Sequence, residues 1–173
     1  MNKPLRYLAA GAAFLAPPVL LASDVLLILF VSEPGLMLQA VALALFVPAI
    51  VGVAVFARER AAWQTAAGAA LAVLGAMAIV IRPSALAAPT RPPAVLFPLG
   101  LLVLSGAMIG SKVSRRVAAL IGAGALLFPL AHQSGVAAAL ISGDAIFLVA
   151  FWALAWRIAH PTSHIPHPKT QAS

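Results

Sequence analysis

Asp24 and Asp144 are the residues best placed to do chemistry, because each is an acid inside a long apolar run. A charged residue at mid-membrane costs about 2.5–3.5 kcal/mol on insertion scales, so intramembrane acids face a bundle interior and commonly handle protons, ions or solutes. Each closely follows a serine, in Ser23-Asp24 and Ser142-Gly143-Asp144. At about 1.5 Å per helical residue, Asp24 lies roughly 10 Å from the outer end of its run and Asp144 roughly 12 Å from the outer start of its own. Similar depth predicts a shared, proton-titratable polar site of Asp24, Asp144, Ser23 and Ser142 in the outer half of the membrane, with His132 at its mouth. The competing reading is structural: each acid hydrogen-bonds to a neighbouring helix and only holds the bundle together. Glu33, Gln39 and Gln133 close or open runs on the same side and read as polar caps at the interface, whereas His132 can titrate or pair with an acid.

Prolines inside the runs are the second chemical signal. Pro17 and Pro18 leave the carbonyls of Ala13 and Phe14 without their helix partners, and Pro48 and Pro129 do the same for Ala44 and Ala125. A freed carbonyl can bind a cation, serve a hinge, or be satisfied by a neighbouring helix as a plain kink. Kinks are expected at Pro17, Pro18, Pro48 and Pro129.

The elements that must position these residues are membrane helices. The apolar runs are Leu8–Val31, Leu36–Ala57, Ala62–Ile81, Ala94–Ser111, Val117–His132 and Val136–Ala159. About 20 residues of helix cross the hydrocarbon core. Short connections such as Ser32-Glu33-Pro34-Gly35 and Gln133-Ser134-Gly135 make successive helices antiparallel neighbours. The fold expected is all-α: one domain, residues 1–159, forming a compact bundle of six transmembrane helices, followed by a disordered cytoplasmic tail over 160–173. Spans one and six are expected to touch and so bring the two acids together.

Charge placement sets the expected orientation. With the N-terminus inside, Lys3, Arg6, Arg58, Arg60, Lys112, Arg115, Arg116, Arg157 and Lys169 are cytoplasmic, and only Arg82 and Arg91 are outside. Both termini are then cytoplasmic, and the compartment expected is the inner membrane of a prokaryote. Tyr7, Trp63, Trp152 and Trp156 fall near cytoplasmic ends, where amphipathic rings anchor at headgroup level.

Composition removes several function classes. Hydrophobic residues make up 63% of the chain and charged residues 9%, against about 25% charged in a soluble domain. The net charge of +7 comes from basic residues dispersed between apolar runs, which argues for lipid headgroups and against nucleic acid as the partner. With no cysteine, disulfides, thiolate metal sites and cysteine nucleophiles are out. No lysine lies within a run to carry a retinal Schiff base, no histidine lies mid-membrane for haem, and no hydrolase signature surrounds the serines. The tail histidines His160, His164 and His167 are separated by prolines that prevent a helix from converging them on a metal. No cofactor and no metal are expected.

Small residues allow close helix packing. Gly106 and Gly110 form a GxxxG in the fourth run, and Gly68 and Gly75 sit among alanines in the third. Packing within the chain is the expected use, with a homo-oligomer through Gly106 and Gly110 as the other. The function expected is a small transporter or permease-like protein moving protons or a small solute. The alternative is a non-catalytic membrane subunit or partner-binding protein with structural acids, and a third reading is an intramembrane lipid-modifying enzyme.

Overall fold

A computed structural model describes residues 3–30, 33–57, 62–81, 92–109, 115–134 and 136–160. They form six α-helices: α1 (Lys3–Phe30), α2 (Glu33–Ala57), α3 (Ala62–Ile81), α4 (Pro92–Ile109), α5 (Arg115–Ser134) and α6 (Ala137–Ala159). The apolar runs thus became helices, as a chain must when lipid offers its backbone no hydrogen-bond partners. Four of them, α1, α2, α3 and α6, are long and apolar enough to cross a membrane. The apolar part of α4 is shorter, and α5 begins on Arg115 and Arg116.

Each helix packs against the next in sequence, and α6 closes back onto α1, so the six form a ring. The ring is filled by phenylalanines. Phe46 of α2 meets Phe97 of α4 at 5.9 Å between ring centroids, and Phe151 of α6 at 4.9 Å, both edge to face. Phe128 of α5 and Phe147 of α6 complete the cluster. All five are buried. Edge-to-face contacts set the positive ring edge on the negative face, which adds directional preference to the burial of large apolar area. The outward surface is apolar too, with Leu29, Leu74, Leu130 and Val149 exposed, as expected of a wall against acyl chains.

Glycine lets α3 and α4 approach to backbone contact. A Cβ on Gly68, Gly75 or Gly100 would collide with the backbone of Leu104, Phe97 or Ala72 respectively. The expectation for Gly68 and Gly75 therefore holds. The expectation that Gly106 packs within the chain does not: Gly106 is exposed, with nothing near its would-be Cβ. Gly100, six residues earlier, occupies the inward face instead, and a GxxxG spacing does not say which way its helix is turned. Gly110 lies outside the described residues. Between α4 and α5, the Ser105 hydroxyl donates to the Ala118 carbonyl at 2.7 Å.

Helices α1, α2 and α5 run through Pro17 and Pro18, Pro48 and Pro129 as single elements. One freed carbonyl has a partner across the ring seam. The indole Nε1 of Trp152 donates to the carbonyl of Phe14, the acceptor that Pro18 released, at 2.9 Å. The Phe14 and Trp152 rings stack alongside, 5.0 Å apart and 10° from parallel. The N–H of Trp152, a residue expected to anchor at headgroup level, fastens α6 to α1 on the exposed outer wall of the bundle. Tyr7, Trp63 and Trp156 are exposed near helix ends. The tail beyond His160 lies outside the described residues.

Candidate functional site

Four helix ends converge where the acids sit. Asp24 lies six residues before the end of α1, and Asp144 lies seven residues after the start of α6. Because α1 and α6 are ring neighbours, similar depth becomes proximity: the two carboxyls are close enough to interact electrostatically. Each acid is 2% exposed, so both face the protein.

Three further side chains surround the pair. Ser23 is fully buried; its hydroxyl donates to the Leu20 carbonyl at 2.7 Å and lies 3.4 Å from Asp24 Oδ1. The Gln39 amide, six residues into α2, donates to the same Oδ1 at 3.4 Å. His132, near the end of α5, places Nε2 at 3.9 Å from Asp24 Oδ2. The His132 ring has a fixed orientation: Nδ1 is 2.9 Å from the Phe128 carbonyl. A carbonyl only accepts, so Nδ1 carries the proton of that bond, and in the neutral ring Nε2 is the bare nitrogen facing Asp24. The imidazole also packs on the Phe128 ring at 4.4 Å, which joins the site to the phenylalanine core below it.

The remaining oxygens define what the cluster lacks. Asp24 Oδ2 and Asp144 Oδ2 are both buried with no hydrogen-bond donor among the described residues. Two ionised carboxylates are acceptors only, and burying such oxygens without protein donors is costly. Among the described residues no group of three or more metal-ligating side chains converges. The chemistry that fits two neighbouring carboxyls, an amide donor and an imidazole nitrogen is the holding and passing of a proton.

The structure thus gathers Asp24, Asp144, Ser23 and His132. Ser142 is exposed on α6 and makes no hydrogen bond to either carboxyl; two residues of helix turn it roughly 200° away from Asp144. Gln39 takes the place expected of a second polar partner. It read as an interfacial cap, yet it is 4% exposed and bonded to Asp24. The signal that finds it is symmetry about the α1–α2 turn: Asp24 and Gln39 stand equally far from it in sequence. Glu33 is exposed, and the side chain of Gln133 lies outside the described residues.

Compared with protein-family models, with curated proteins and with solved structures, the chain matches none. The reading of the site therefore rests on its own geometry.

Proposed function

We propose that the chain is a transporter or permease-like membrane protein of six spans, both termini cytoplasmic, set in the inner membrane of a prokaryote. Its working centre is a proton-exchanging site in the outer half: Asp24 and Asp144 hold the proton, Gln39 and Ser23 orient Asp24, and His132 Nε2 exchanges protons between the pair and the outer face. The observation that carries this reading is the pair of buried Oδ2 atoms, one on each of two neighbouring carboxyls, without donors among the described residues. One proton between them turns two acceptors into donor and acceptor. The phenylalanine cluster beneath separates the site from the opposite face, as alternating access requires of a closed state. The positive-inside distribution of basic residues supports the orientation.

The test is proton flux in proteoliposomes loaded with a pH-sensitive dye, under an imposed pH gradient. Flux above that of empty vesicles, lost in Asp24→Asn and Asp144→Asn proteins of unchanged helicity, supports the proposal. Flux equal to that of empty vesicles would leave the acids as helix-bridging groups in a non-catalytic subunit.

A further inference from the structure

The end of the bundle remote from the acids carries a second site. Between α1 and α6 lies an open groove of about 370 Å³, lined by Ala10, Phe14, Trp152, Ala155, Trp156 and Ala159. Four of these belong to two stripes at helical spacing, Ala10 and Phe14 on α1 and Trp152 and Trp156 on α6, each pair one turn apart. The stacked Phe14 and Trp152 rings close it at mid-helix, where the Trp152–Phe14 hydrogen bond ties the walls together. Alanines supply the floor, and small side chains there create the depth.

The other end of the groove opens toward the start of α1 and the end of α6, and it is basic. Arg6 is one turn before Ala10 on the same stripe. Its guanidinium leans over the Tyr7 ring, 5.3 Å from the centroid, and its Nε is buried with no hydrogen-bond partner among the described residues. His160 is one turn beyond Trp156, its ring stacked on the indole at 4.2 Å. Lys3 and Arg157 stand at the same end of the bundle. Among the described residues no acid shares this end: Asp24 and Asp144 lie in the other half, and Glu33 opens α2 beside the end of α1. An apolar slot with a cationic, donor-rich mouth at a helix end matches an amphiphile with a negative head, and the groove lies on the lipid-facing wall.

The geometry points to a binding site for one anionic glycerophospholipid, an acyl chain in the α1–α6 groove and the headgroup phosphate on Arg6. This goes beyond the acid site. It shares with that proposal only the placement in a bilayer, so either can fail alone. It also gives Trp152 a second role: its ring seals the inner end of the slot while its N–H holds the seam.

Trp152 and Trp156 make the site readable, because a brominated acyl chain lying beside an indole quenches its fluorescence. The experiment uses the full chain carrying Trp63→Phe, in vesicles of phosphatidylcholine with a minor fraction of brominated phosphatidylglycerol or brominated phosphatidylcholine. Stronger quenching by the brominated anionic lipid at equal mole fraction is expected. Arg6→Gln should cut that preference about fivefold, the worth of one basic residue at a membrane surface. Arg115→Gln, which removes a charge from another helix, should leave it. Ala159→Leu, which narrows the slot and keeps Arg6, should lower quenching by both lipids. Equal quenching by the two lipids in the parent protein, or a preference that survives Arg6→Gln, overturns the assignment.

Discussion

Replacing Trp152 with Phe tests how the ring of helices is closed. The substitution removes one N–H donor while keeping an aromatic ring against Phe14. Its acceptor is unusual, because Pro18 has already taken away the helical donor of the Phe14 carbonyl. Phe14 lies eleven residues along α1 from Lys3, roughly 16 Å of helix, and its carbonyl is on the outer wall of the bundle, which acyl chains cover in the proposed bilayer placement. Interhelical hydrogen bonds in membrane proteins average about 0.6 kcal/mol and reach about 1.7. Stranding an acceptor away from water costs about 1–3 kcal/mol, and here lipid would exclude the water. Trp152→Phe should therefore destabilise by about 1.5 kcal/mol, near the top of the membrane range. Pro18→Ala restores an amide at residue 18 that donates to the same carbonyl. In that background Trp152→Phe should cost only about 0.5 kcal/mol, an ordinary bond lost from an acceptor that keeps its helical partner. The predicted coupling is about 1 kcal/mol, above the scatter of independent sites. Equilibrium unfolding in mixed micelles, followed by circular dichroism for the four proteins of the cycle, measures it. Strict additivity would refute the reasoning, since the indole would then be serving something other than the freed carbonyl.

Gly100→Leu should separate α3 from α4 and destabilise by about 1–3 kcal/mol as an overpacked contact, while Gly106→Leu should be near neutral; melting of both variants in micelles checks the pair. Gln39→Leu should lower stability by about 1 kcal/mol by removing a donor from Asp24, and a silent substitution would return Gln39 to the role of an interfacial cap. Because the chain has no cysteine, single cysteines report topology directly: Ser134→Cys should react with an impermeant maleimide from outside the cell, and Ser173→Cys only after the membrane is opened.

Much of this architecture is legible in the sequence, because hydropathy marks the stretch of chain that lipid must surround. Span six was expected over Val136–Ala159 and the helix occupies Ala137–Ala159. Span one was expected from Leu8, yet α1 begins at Lys3. Hydropathy reports where the hydrocarbon ends, and a helix continues past that point while its polar side chains reach water. The depth of Asp24 and Asp144 was legible by counting from the turns, and ring closure between α1 and α6 converted depth into proximity. Rotation about each helix axis was not legible. It decides that Ser142 faces out while Asp144 faces in, that Gln39 meets Asp24, and that Gly100 serves packing where Gly106 does not. Pro18 announced a free carbonyl at Phe14; nothing in the sequence named Trp152 as its partner, 138 residues away.

The central claim is that Asp24 and Asp144 act as one proton-binding unit, and an infrared titration of the reconstituted protein tests it most directly. Two interacting carboxyls release protons in two steps that belong to the pair. In a background carrying Glu33→Gln and Glu59→Gln, which removes the other acidic side chains, the protonated-carboxyl band of the pair should therefore fall in two separated steps. Asp24→Asn and Asp144→Asn should each leave a single step whose midpoint differs from both. If each variant instead removes one step and leaves the other where it was, the acids titrate independently, and the shared site is contradicted.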